Sequence, residues 1–190
     1  FQPGEEGFHG ARFMIEDGLL EPRADAAFAL HIMPNSPHGM IAGRAGPLLA
    51  SADRFEITVA GEGGHASMPH DTLDPVPVAC EIVAAIQTMV TRRFSVADPV
   101  VATVSKIAAG TAYNVIPDTA HLLGTIRTLS AASRARLHEA LPVLAQHIAA
   151  AHGLTAVTTF VPGFPVTVCD ARAVDLGEAV GGVTLGQGRA

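Results

Sequence analysis

Two adjacent carboxylates, Glu5 and Glu6, stand in the opening stretch Phe1-Gln-Pro-Gly-Glu-Glu-Gly7. Neighbouring side chains in extended or turning backbone point in different directions, so one carboxylate of such a pair can bind a metal ion while the other faces a substrate and moves protons. The alternative is that Gly4-Glu5-Glu6 opens a helix, where acidic side chains favour the positive end of the dipole. A second stretch, Gly61-Glu-Gly-Gly-His-Ala-Ser-Met-Pro-His70, is a glycine-rich turn holding His65 and His70. Glycine there admits positive φ or close approach by a ligand or another backbone. A loop imidazole can equally cap backbone groups, and His70, beside Asp71, reads as local capping at a helix start. Asn114 lies in Tyr113-Asn-Val-Ile-Pro-Asp118, a connection made of ordinary turn residues. Arg127, in Gly124-Thr-Ile-Arg-Thr128, falls on a strand. Its planar guanidinium can hold a carboxylate through two hydrogen bonds or serve as a surface charge.

The elements that must position these groups follow from hydrophobic period. Residues 8–20 have helical spacing and stop at Asp17-Gly18. The apolar run 24–32 reads as a strand buried on both faces, with His31 at its far end. Strand, helix and strand make a βαβ unit whose carboxyl edge would bring Glu6 and His31 together. Residues 34–37 read as a loop and 40–50 as a short extended piece. From Ser51 the pattern changes. Phe55, Ile57 and Val59 alternate with Glu56 and Thr58 in a half-buried strand; a helix over 74–91, strands over 100–107 and 121–128, a helix over 131–151 and a strand over 155–161 follow. The order βαββαβ predicts a ferredoxin-like two-layer sandwich with both helices on one face. Residues 169–180 read as a further helix. The expected architecture is an α/β domain (1–50 and 164–190) interrupted by a ferredoxin-like domain (51–163).

Composition bounds the function classes. The 190 residues are 48% hydrophobic and 16% charged, enough to bury a core. Apolar runs are broken well short of the roughly 18 residues a membrane helix needs, so no membrane partner is expected. With 12 Lys plus Arg against 18 Asp plus Glu, the net charge of −6 repels a phosphate backbone. Together with sparse aromatics on the candidate strands, it argues against a nucleic-acid-binding βαββαβ domain. Cys80 and Cys169 lie far apart without a Cys-x-x-Cys spacing, which fits two ordinary buried thiols in a reducing, cytoplasmic compartment. Phe1 starts inside what reads as a buried strand, as expected for a segment of a longer protein.

Taken together and in order, Phe1–Gly7, Ala29-Leu-His-Ile32, Gly63–His70, Asn114–Asp118 and Gly124–Arg127 resemble the metallopeptidase family of aminoacylases and carboxypeptidases. The nearest subgroup is that of the hippurate hydrolases and indole-acetyl-amino-acid hydrolases. The resemblance implies a di-metal catalytic domain interrupted by a ferredoxin-like lid that also makes a homodimer. It implies that Glu5 is the general base, that Glu6 and His31 are ligands of two divalent ions (zinc, manganese or similar), and that His65 stabilises an oxyanion, usually in the partner subunit's site. Asn114 and Arg127 would hold the free carboxylate of an N-acyl amino acid. The family's earlier Cys-Gly-His-Asp type motif and its late metal-binding histidine are absent from these residues, and neither cysteine replaces them. The chain alone is therefore expected to be an inactive part of a metal-dependent amidohydrolase. The alternative is a non-catalytic ferredoxin-like binding or dimerisation module.

Overall fold

The computed structural model describes residues 2–7, 9–21 and 23–185. In chain order the elements are α1 (Gly10–Glu16), β1 (Gly46–Leu49), β2 (Ala52–Ala60), β3 (Gly64–His65), a 3-10 turn (Pro69–Asp71), α2 (Pro75–Arg93), β4 (Val100–Ala109), β5 (Val115–Ile116), β6 (Thr119–Thr128), α3 (Ala131–Ala151), β7 (Thr155–Phe164), β8 (Thr167–Cys169) and α4 (Ala171–Leu185). They divide into two units, 1–48 with 167–190, and 49–166. No helix among the described residues is long and apolar enough to cross a membrane.

The second unit is the βαββαβ sandwich. Its sheet has the order β4-β6-β2-β7, with every pairing antiparallel. The alternation expected over 55–59 extends through β2: Asp53, Phe55, Ile57 and Val59 face inward and the residues between them lie on the open face. Phe55, Ile57, Leu122 and Ile126 from the strands meet Ile82 and Ile86 of α2 and Leu137 and Leu141 of α3, all fully or almost fully buried. Burying each such side chain contributes roughly 1.5–3 kcal/mol, which makes this layer the source of the unit's stability. Gly124 belongs to that packing: a Cβ there would lie 2.2 Å from the Phe55 ring.

Helix ends follow local chemistry. Asp74 caps α2 by accepting a hydrogen bond from the Val76 amide (2.9 Å), with Pro75 in the first turn where no intrahelical donor is needed. Ser130 caps α3 by accepting from Ser133 (3.0 Å). Hydroxyls of Ser130 and Ser133 both donate to Asp98 Oδ2 at 2.6 Å, which holds the Asp98 carboxyl below its usual range and ties the β4 approach to α3.

One charged residue sits on the inward face of β2. The Asp53 side chain is fully buried and accepts from Arg134 Nε (2.7 Å), Arg134 Nη2 (2.5 Å), His138 Nε2 (3.1 Å) and the Gly163 amide (2.9 Å). The β2–β7 register shifts between Ala52 and Arg54, freeing Asp53 to reach Gly163. A Cβ on residue 163 would lie 1.9 Å from the Ala52 carbonyl, so only glycine allows that approach. The His138 ring stacks on Phe160, with centroids 4.2 Å apart. Asp53 thus pins the first strand of the sandwich to its last and to α3.

In the other unit, α1 is shorter than the expected 8–20. It ends at Glu16 because Gly18 adopts φ +91° and closes the helix, its amide bonding Ile15 and that of Leu19 bonding Met14, as a Schellman motif requires. Residues 24–32 are not the expected strand. Leu30 and Ile32 are 87% and 85% exposed. A parallel strand takes its backbone bonds from neighbouring strands, and the described part of this unit forms one ladder, β1 with β8. An apolar run without a ladder partner stays extended and unpaired. The βαβ unit that was to join Glu6 and His31 is therefore not formed. Phe1, expected within a strand, lies outside the described residues.

The Asp53 cluster yields a test. Burial raises the Asp53 pKa, but the Arg134 hydrogen bonds, the Gly163 amide, the Arg134 charge and His138 together bring it below the ordinary carboxylate value. A depressed folded pKa gives stability that is full above the unfolded value of about 3.9 and lost as pH falls through the folded value. Asp53→Asn should cost about 3 kcal/mol, the low end for breaking a buried pair because Arg134 keeps some exposure, and should remove this part of the acid sensitivity. Urea denaturation from pH 7 to pH 3 measures both; a variant within about 0.5 kcal/mol of wild type, the range of ordinary surface changes, would contradict the assignment.

Candidate active-site elements

Glu5 and Glu6 lie in an exposed turn bounded by Gly4 (φ +57°) and Gly7 (φ +93°), whose amide bonds the Glu5 carbonyl at 2.9 Å. The first turn of α1 contains no acidic residue. The pair therefore does not serve the helix dipole, and the capping alternative loses its physical basis. His31 is exposed in irregular backbone, with Nδ1 2.7 Å from the Ile32 carbonyl. A carboxylate and an imidazole suit a divalent ion in donor type. However, no group of three or more His, Cys, Asp or Glu among the described residues is arranged to hold one. Glu6 and His31 thus fit a metal site as separate donors, not as an assembled centre.

Two of the motifs are brought together. The glycine-rich turn and the Asn114 connection pair as a two-stranded ladder, β3 with β5, in the register Gly64 opposite Ile116 and His65 opposite Val115. The Ala66 amide donates to the Asn114 carbonyl (3.0 Å), the Gly61 amide to the Asp118 carbonyl (2.9 Å) and the Gly63 amide to Asp118 Oδ1 (2.9 Å). The glycines serve close approach: a Cβ at Gly63 would lie 2.4 Å from the Ile116 carbonyl, and one at Gly61 1.9 Å from the Leu73 carbonyl. Neither adopts positive φ. Paired bonds between Glu62 and Leu73, 2.9 Å each way, fasten the turn to the approach of α2.

Within this frame the His65 ring is oriented by Ser67. The Ser67 amide donates to Nδ1 at 3.2 Å and its hydroxyl lies 2.8 Å from the same atom. A backbone N–H can only donate, so Nδ1 carries the lone pair and the neutral ring has its proton on Nε2. His65 is exposed, and with Nδ1 accepting from Ser67 the ring has Nε2–H left as its donor. His70, which read as a helix cap, instead belongs to the 3-10 turn and lies 3.6 Å from Asp71.

Arg127 stands apart from this pair of loops. It is exposed on the open face of β6, and its Nη1 donates to Thr125 Oγ1 and to the Ile126 carbonyl, the latter at 2.9 Å. The register puts Thr119 opposite Ala60 at the loop end of the sheet and Ile126 opposite Asp53 at the other. Eight strand residues at about 3.3 Å each separate Thr119 from Arg127 by about 26 Å. Asn114 precedes Thr119, so one sandwich does not bring Asn114 and Arg127 to a single carboxylate.

Sequence reasoning passed over Asp53, Arg134, His138, Ser67 and Asp118. An inward-facing charge on the parity of Phe55, Ile57 and Val59 marks Asp53, and Arg134 with His138 at helical spacing of four marks its partners. Ser67, two residues from His65, is a local capping signal.

Residues 50–153 match the family model described as the peptidase dimerisation domain of M20 peptidases. The chain is 40% identical over 165 residues to an N-acetylcysteine deacetylase of Bacillus subtilis, covering 87% of this chain and 43% of the relative. It is 45% identical over 130 residues to an IAA-amino acid hydrolase of Arabidopsis thaliana, covering 68% of this chain and 29% of that protein. A crystal structure of a Bacillus subtilis protein, described as a dinuclear metal-binding peptidase of the M20 family, superposes with a TM-score of 0.76 at 32% identity, covering 96% of this chain and 45% of the other. The chain thus spans less than half the length of these relatives. With more than half of its residues inside the family match, and the sandwich that the match describes, the chain belongs to the M20 peptidase dimerisation-domain family.

Proposed function

We propose that the protein to which this chain belongs is a metal-dependent amidohydrolase that cleaves N-acyl amino acids and works as a homodimer. The observation that carries the reading is the exposed His65 ring, held by Ser67 at Nδ1 so that Nε2–H remains as its donor. Such a donor stabilises the negative oxygen of a tetrahedral intermediate, the largest single contribution in many acyl transfers. Further support comes from the relatives, whose names describe deacetylation of an N-acetyl amino acid and hydrolysis of an amino-acid conjugate.

In this reading Glu5 takes the proton of the attacking water and returns it to the leaving nitrogen. Glu6 and His31 each give one donor to a pair of divalent ions, zinc, manganese or similar, which when bound polarise the amide carbonyl. Asn114 and Arg127 hold the free carboxylate of the amino-acid part, Arg127 through its planar fork. Because Asn114 lies before the start of β6 and Arg127 near its end, one carboxylate reaches both when they come from different copies of the chain. His65, laced to Asn114, then serves the site to which its partner subunit gives Arg127. A dimerisation domain suits that requirement.

His65→Ala in the full-length protein should lower kcat by about 10²-fold with metal content unchanged, the scale of an oxyanion donor. Unchanged kcat would refute the role. Proton–nitrogen correlation spectra of the neutral His65 ring should show the proton on Nε2; a proton on Nδ1 would contradict the geometry from which the role is argued.

A further inference from the structure

Of the polar side chains in the loop pair, that of Asp118 bonds across from one loop to the other, its carboxylate accepting from the Gly63 amide at 2.9 Å. We propose that Asp118 is the positioning residue of His65, holding the glycine-rich turn and the Asn114 connection as one rigid piece. The inference rests on the reading of His65 given above and adds to it the group that fixes where its ring stands.

His65 lies between two anchored backbone amides, that of Gly63, which donates to Asp118 Oδ1 at 2.9 Å, and that of Ala66, which donates to the Asn114 carbonyl at 3.0 Å. The Asp118 carbonyl also receives the Gly61 amide at 2.9 Å, so a single residue accepts from both ends of Gly61-Glu-Gly63. All the other ties described between the turn and the Asn114 connection are backbone to backbone and survive substitution; the Asp118 carboxylate is the side-chain tie among them. The ladder behind it has two residue pairs, too few to fix a loop by itself. Gly63 lies so close to the Ile116 carbonyl that a Cβ there would sit 2.4 Å from it, so the turn packs directly on the connection. A carboxylate that sets the turn therefore sets the His65 ring against Asn114. Displacing a catalytic group by about 1 Å can cost roughly 10²-fold in rate.

The test is a double-mutant cycle in the full-length protein. Asp118→Ala should lower kcat about tenfold or more, within the cost of misplacing a catalytic group, with a smaller change in KM. Asp118→Asn, which keeps an oxygen acceptor in the same place, should recover kcat to within about threefold of wild type. In a His65→Ala background Asp118→Ala should change kcat by less than about twofold, because a group that acts through His65 has nothing left to position. Amide exchange at Gly63 and His65 should accelerate in Asp118→Ala and return in Asp118→Asn. Full additivity of the two alanine substitutions, or unchanged exchange at Gly63 in Asp118→Ala, would overturn the proposal. If His65→Ala alone leaves kcat intact, the oxyanion reading fails, while exchange at Gly63 still decides whether Asp118 holds the turn.

Discussion

The register of β2 against β6 is the constraint from which the site geometry follows. Ala60 opposite Thr119 puts the segments that leave these two strands at the same end of the sheet, where they pair a second time as β3 and β5. That proximity joins His65 to Asn114. The same register carries Arg127 to the other end, beside the position where Ile126 faces Asp53. A slip of one residue would turn Phe55, Ile57 and Val59 out of the core, so burial of one face fixes the register, and the register fixes which candidate residues are neighbours.

The far end of the sheet is held by different physics. There the buried Asp53 carboxylate gathers Arg134, His138 and the Gly163 amide, linking the strand that begins the sandwich to the one that ends it. A buried ion pair adds little net stability over apolar packing, but losing one partner is costly. Its value here is specification, since it fixes the β2–β7 bulge and the seat of α3 together. The two ends of β2 thus divide labour: an ion cluster holds the ends of the sandwich, and backbone bonds together with the Asp118 carboxylate link the loops that carry His65 and Asn114.

Much of this was legible in the chain. Alternation in β2, helical period over 131–151 and the Asp17-Gly18 stop each reflect a local rule, and the structure obeys them. The family resemblance lay in short motifs, and the peptidase dimerisation domain matches it. What failed was the strand over 24–32, because period and apolarity describe a strand's faces and not its hydrogen-bonding partners. The β3–β5 ladder escaped notice since two-residue strands have no period, and Asp118 looked like an ordinary turn residue. The separation of Asn114 from Arg127 became visible only with the register. Short motifs name residue types and carry no information on whether one sandwich can bring both to a single carboxylate.

That separation is the central claim, and subunit complementation tests it most directly. Full-length Arg127→Ala and His65→Ala proteins, each assayed alone for its residual activity, would be mixed under conditions of subunit exchange and assayed for amide hydrolysis. If the two residues serve a site from different protomers, every mixed dimer has one intact site, and a statistical mixture should regain about a quarter of wild-type activity, as the symmetry of a two-fold dimer dictates. Proven exchange with no activity above that of the parents would contradict the account.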